Sequence, residues 1–171
     1  GDPFSQVIGG APLTLQDMID NLGKAAVDER IAGVIFKMSY AHNANVGKLQ
    51  ELRRAVAGVR AAGKPVHAWA DGLDRHPLYL ASACADIAMP AGGYFEFKGF
   101  AAETLHVRNM LEKLGIMPHL HKIKDYKSAA ELIMDTEMSD AAREMRTWIV
   151  QDGWDVIVPA IAADRGLTEQ R

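Results

Sequence analysis

The chain has 171 residues, 49% hydrophobic and 24% charged, with a formal net charge of -3. That length suits one α/β domain over residues 1–171 with a substantial core, and the interspersed signs leave neither a basic footprint for nucleic acid nor a polybasic membrane patch. Cys84 is the single cysteine, which excludes an intrachain disulfide and a cysteine-based metal site, and no run of about 18 apolar residues suggests a membrane span.

Residues 1–13, with Pro3, Pro12 and Gly9-Gly10, read as an irregular lead-in. Thr14 can cap a helix whose Leu15, Met18, Ile19, Leu22 and Ala26 share one face. Ile31 to Met38 is a short, branched, nearly continuous apolar run, which predicts a strand covered on both faces and hence a parallel sheet. Val46 to Ala62 places Leu49, Leu52, Val56 and Val59 in one helical stripe, and Gly63 stops it. Strands are predicted at Pro65–Ala70 and Asp86–Met89, with a helix at Pro77–Ala85 between them.

Pro90 to Gly93 reads as a turn, Tyr94 to Lys98 as a further strand, and Ala102 to Leu114 as a helix closed by Gly115. Pro118 to Lys124 alternates like a strand. Ser139 caps a long final helix, with Met145, Trp148, Ile149, Trp154, Ile157 and Ile161 as its buried candidates and Pro159 as a kink or early stop. Strands and helices alternate, so repeated βα units with a mainly parallel sheet flanked by helices are the simplest assembly. The sequence contains no internal repeat and no low-complexity tract.

Within this order the segment His119 to Met138 is the one that carries chemistry, and Lys127 is its candidate. It lies where an alternating stretch meets a helical one, beside Tyr126 and ahead of the small residues Ser128, Ala129 and Ala130. A lysine enclosed at such a junction would shed hydration, favour its neutral form and take a proton from a serine hydroxyl without a histidine.

Asp125-Tyr126-Lys127-Ser128-Ala129, followed by Glu137-Met138-Ser139-Asp140-Ala141-Ala142-Arg143-Glu144, resembles the lysine segment of the signal peptide peptidase A, or protease IV, family of the Clp protease/crotonase superfamily. The likeness runs colinearly through Pro12-Leu13-Thr14, Gly33-Val34-Ile35, Leu49 to Ala55, Gly63-Lys64-Pro65-Val66, Tyr79 to Ile87 and Leu111 to Gly115. It implies a crotonase-like fold and a Ser/Lys dyad in which Lys127 is the general base.

Two parts of the family pattern are missing. Where the family carries its nucleophilic serine at a Ser-Gly-Gly-like turn, this chain reads Leu73-Asp74-Arg75-His76-Pro77. The Gly-Gly loop that would hold the oxyanion is replaced by Ser39 to Gly47, with one glycine. The long form of the family resembles two tandem copies of the fold, the first supplying the lysine and the second the serine. With Gly1-Asp2-Pro3 as its first residues and Glu169-Gln170-Arg171 as its last, the chain reads as an excised amino-terminal half, inactive alone.

The implied partners are a carboxy-terminal domain bringing the serine, further copies in a homo-oligomer, and a peptide substrate left over from signal-sequence cleavage. The implied place is a bacterial envelope, membrane-associated on the extracytoplasmic side. No cofactor is implied. Competing readings are a non-catalytic scaffold of the same fold and a crotonase-type enzyme acting on acyl thioesters.

Other residues take plainer readings. Ser128 and Ser82 read as packing or hydrogen-bonding residues, and His67 and Trp69 as packing. His119 and His121 could pair on one strand face as metal ligands but lack a third, so surface histidines are the simpler assignment. His42 and His76 lie in loops at the expected cleft, yet a triad needs a nucleophile that is not positioned there. Asp71-Gly72 reads as a turn, and Gly92-Gly93 lacks the context of a phosphate loop.

Overall fold

A computed structural model of the chain describes residues 13–38, 45–121, 124 and 126–168. Its backbone divides into two compact units, Gly1–Lys98 with Ala160–Arg171, and Gly99–Pro159.

The first unit begins with α1, Leu15–Val27, on a capping box: Thr14 Oγ1 accepts from the Asp17 amide while the Asp17 carboxylate accepts from the Thr14 amide. The Thr14 hydroxyl, which lies 2.7 Å from the Asp17 carboxylate, and after it the Thr14 amide hold the Asp17 carboxyl below its ordinary range. Strand β1, Val34–Met38, leads to α2, Val46–Ala61, capped by Asn45, whose Oδ1 accepts from the Lys48 amide at 3.0 Å. The chain leaves α2 through Gly63 at φ 79°, a left-handed conformation that suits a residue without a Cβ. Then follow β2, Val66–Ala70, the short β3, Gly72–Leu73, the helix α3, Arg75–Ala81, and strands β4, Asp86–Ala88, and β5, Tyr94–Phe95.

Three strands form a parallel sheet in the order β1-β2-β4, and β3 pairs parallel with β5. The α/β class with parallel pairing is therefore as the apolar runs predicted. The core lies on one face of the larger sheet. Val66, Ala68 and Ala70 of β2 are fully buried, and the predicted stripe Leu49, Leu52, Val56 and Val59 of α2 is buried with Leu22 and Ala25 of α1. Gly33 permits the close approach of Pro65, whose ring and carbonyl would stand 3.0 Å from any Cβ there.

The opposite face corrects the expectation of a strand covered on both sides. Ile35 is 74% exposed, and the register places it beside His67 and, through His67, beside Asp86. His67 and Trp69 are half-exposed on this face rather than packed in the core. His67 Nδ1 stands 3.0 Å from Asp86, and the Lys37 ammonium lies over the Trp69 ring at 5.1 Å. A short apolar run does not reveal which of its alternate residues lack cover, because branched side chains suit a half-buried strand as well as a buried one.

The end of α3 is held by three arginines. Arg53 donates to the Tyr79 carbonyl, to Ser82 Oγ at 2.9 Å and to Asp164 at 2.8 Å. Arg60 donates to the Ala83 carbonyl at 2.7 Å, and Arg165 to the carbonyls of Ala81 and Ala85. These donors satisfy carbonyls that the end of a short helix leaves open, at the terminus its dipole makes attractive to cations. Cys84 lies among them, and burial pushes its thiol up to about 11 against the opposing pull of Arg165, Arg60 and Arg53.

The second unit has less regular structure. The predicted helix Ala102–Leu114 shrinks to α4, Arg108–Lys113, because Val107 supplies no side-chain cap and its amide goes instead to the Leu132 carbonyl at 2.8 Å. The predicted strand Pro118–Lys124 is not formed over 118–121, and residues 122–123 lie outside the described set. A 3-10 turn, Ser128–Ala130, runs into the one-turn helix α5, Glu131–Met134. The long α6, Asp140–Arg165, begins in this unit and ends in the first, and it continues through Pro159 rather than stopping there. Of its six predicted core residues only Ile157 is fully buried, whereas Trp148 and Ile149 are 63% and 65% exposed. Phe100 meets Trp154 edge-on at 6.0 Å and lies against Gly153, where a Cβ would come within 2.8 Å of the ring.

Candidate active site

Lys127 is the residue from which the 3-10 turn starts, with φ -86° and ψ 73°, and its amide donates to the Lys124 carbonyl at 3.0 Å. The helical side of the predicted junction is present, and no strand forms over 118–121. Lys127 is an exposed residue, so the dry enclosure expected around it is not supplied by the described residues of this chain. Tyr126, the residue before the lysine, is 55% exposed and donates its hydroxyl to Glu144 of α6 at 2.9 Å. Ser128 is half-buried in the turn that follows.

Glu131 escaped the sequence reading. Four residues beyond Lys127, it is 2% exposed, and its carboxylate accepts from the Ser139 amide at 3.2 Å and from Ser139 Oγ at 2.8 Å. Ser139 in turn caps α6 as predicted, its hydroxyl oxygen accepting from the Ala142 amide at 3.2 Å. His106 also went unnoticed. Its Nδ1 lies 3.2 Å from the carbonyls of both Glu131 and Asp135, two acceptors that call for the proton on that nitrogen. No periodicity signals either residue, since both are polar groups made meaningful by partners brought together across loops.

A groove in the second unit is lined by Arg108, Glu112 and residues 134–140, and Lys127 is not part of it. His119 and His121 are exposed and share no strand, which removes the premise that they face one way. Among the described residues no group of three His, Cys, Asp or Glu side chains could hold a metal ion.

In the first unit, residues Leu73–Pro77 form a strand-to-helix turn that contains no hydroxyl side chain. Leu73 ends β3, Asp74 caps α3 by accepting from the His76 amide at 3.1 Å, and Arg75 opens the helix. Burial holds the His76 imidazole below its ordinary value, Arg75 adds to the effect, and Asp74 opposes it. Ser82 is fully buried at the end of α3, its hydroxyl within hydrogen-bond reach of two acceptors, the Tyr79 carbonyl at 3.0 Å and the Asp164 carboxylate at 2.9 Å, which makes it part of the arginine network rather than an open nucleophile. His42 and most of the 39–47 loop lie outside the described residues.

The family model described as Peptidase family S49 matches residues 59–171, a stretch that includes both the α3 region and the lysine turn. The chain is a member of peptidase family S49. Its resemblance to the signal peptide peptidase A family is thereby borne out, along with the Clp-protease-like class of its fold. Among curated relatives, this S49 chain is 30% identical over 156 residues to Protease 4 of Haemophilus influenzae, a match covering 91% of the chain and 25% of that protein. It is 27% identical over 158 residues to Protease 4 of Salmonella typhi, covering 92% of the chain and 26% of the relative. A third relative, the chloroplastic serine protease SPPA of Arabidopsis thaliana, is 29% identical over 133 residues, 78% of the chain and 20% of that protein. The S49 chain thus spans about a quarter of the length of the curated relatives it matches.

Proposed function

We propose that this chain is the base-supplying part of a two-part serine protease. A serine carried by another domain attacks the peptide carbonyl as its hydroxyl proton passes to neutral Lys127. The ammonium so formed returns the proton to the leaving amine as the acyl-enzyme forms. Water then completes hydrolysis, with Lys127 again accepting and returning a proton. The observation that carries this reading is the Tyr-Lys-Ser-Ala turn itself: Lys127 opens a 3-10 turn in a stretch within the S49 match, and its side chain is accessible to a group from elsewhere. In this reading the missing desolvation comes from the domain or neighbouring copy that brings the serine, in a homo-oligomer acting on signal-peptide remnants at the extracytoplasmic face of a bacterial membrane. Among the described residues no helix is long and apolar enough to cross a membrane.

The decisive experiment is Lys127→Ala in the complete protein as encoded. Peptide turnover should fall by about 100- to 10,000-fold, the usual contribution of a general base, with folding unchanged by circular dichroism. Turnover within threefold of the parent refutes the assignment. The exposed lysine and the absence of a hydroxyl over Leu73–Pro77 favour a second reading, a non-catalytic scaffold. That reading gains if Lys127→Ala retains turnover while removal of this region dissolves the assembly.

A further inference from the structure

The lysine turn has an anchor on each side, and both reach the beginning of the same helix. Before Lys127, Tyr126 Oη donates to Glu144 at 2.9 Å. After it, Glu131 accepts two hydrogen bonds from Ser139, the residue that caps α6. The two anchors differ in kind. Glu144 and Tyr126 meet at the surface, where water competes for both groups, whereas Glu131 is almost completely buried.

A buried carboxylate is costly unless its oxygens are satisfied, and here each oxygen has a donor from Ser139. The Ser139 amide that reaches Glu131 lies immediately ahead of the long helix α6. The carbonyl side of the same turn is fixed independently by His106 Nδ1 on Glu131 and Asp135 and by the Val107 amide on Leu132. From Lys127 to Glu131 the backbone is one 3-10 turn entering α5, so anchoring Glu131 limits where Lys127 Cα can move.

We propose that Glu131 is a positioning residue for Lys127: its bonds to Ser139 couple the lysine turn to the start of α6 and set the place from which the ammonium reaches the nucleophile. The inference rests on the reading of Lys127 as the general base. It assigns Glu131 no proton-transfer step, and its effect acts through geometry, where a displacement of about 1 Å can cost on the order of 100-fold in rate.

The test uses the complete protein and four variants assayed on a peptide substrate. Glu131→Ala leaves the Ser139 amide and hydroxyl without this acceptor. It should lower kcat about 10- to 100-fold while KM stays within about twofold, because the lysine moves and the substrate contacts do not. Glu131→Gln should restore kcat to within about threefold of the parent, since an amide can accept from the Ser139 amide through its oxygen and donate to Ser139 Oγ through its nitrogen. Ser139→Ala, which removes one bond and keeps the other, should fall between them. Parental kcat in folded Glu131→Ala, equal losses in kcat and KM, or a Gln variant as impaired as the Ala variant each overturns the proposal. Should Glu131→Ala fail to fold, parental kcat in Ser139→Ala does the same. Lys127→Ala run in parallel separates the two ideas: if it is inactive while Glu131→Ala is fully active, only the positioning role falls. If Lys127→Ala is active, the base assignment falls and the positioning role with it.

Discussion

The two compact units of this chain spend their apolar residues differently. In the first, the α1 and α2 stripes and alternate residues of β2 make a closed core, with Val56, Val59, Val66, Ala68 and Ala70 fully buried. In the second, Leu105, Met110, Leu114, Ile116, Met117, Leu120, Trp148 and Ile149 are all about half exposed or more, and the most buried side chains include the acidic Glu131. The first unit is built around apolar burial. The lysine-bearing unit, by contrast, depends heavily on specific polar ties: Glu131 to Ser139, His106 to the α5 carbonyls, Tyr126 to Glu144. Polar ties set position more sharply than they add stability, which suits the proposed role of this unit in presenting Lys127.

Paired truncations sharpen this contrast most. Leu52→Ala, in the core of the first unit, should cost about 2–5 kcal/mol in denaturant unfolding, whereas Trp148→Ala in the second should change stability by no more than about 0.5 kcal/mol. Equal losses would break the comparison by showing that Trp148 is held in a core after all.

Alkaline pH probes the interior of the first unit. With its folded value raised from 9.0 to about 11, the Cys84 thiol favours folding fully below its unfolded pKa, and that contribution disappears as pH rises through 11. Its upper bound is about 3 kcal/mol, and Cys84→Ala should lose the corresponding slope between about pH 9 and 11. Slow alkylation of Cys84 by iodoacetamide at pH 8 should accompany it, and rapid labelling would mean that the interior opens readily. The smallest effect concerns a terminus: Thr14→Ala removes half of the capping box and should cost about 1 kcal/mol, read from the thermal midpoint.

The elements that could be read in advance were those with a repeating burial pattern. The stripe of α2, the β2 strand, the Thr14 and Ser139 caps and the Gly63 stop all came from local spacing and capping chemistry. The misreadings share a cause. Ala102 to Val107 has an acceptable local pattern, but the Val107 amide bonds to the Leu132 carbonyl rather than continuing a helix. Trp148 and Ile149 fit a helical stripe, yet a stripe is buried only where something covers it.

For the proposed site, the segment around Lys127 drew attention because several consecutive residue types resemble one family, and the S49 match covers it. Glu131 and His106 were not, because a polar residue gains its role from partners distant in sequence, and no local rule names them.

By itself the sequence determined the family, the α/β class with parallel strands and the residues of the principal helical core, because these follow from colinear identities and from periodicity within single segments. Tertiary structure alone decided that one sheet face stays open, that Lys127 is exposed on its turn, and that a buried carboxylate ties that turn to the start of α6. Exposure and pairing depend on which segments meet in space, and that information is spread over the whole chain.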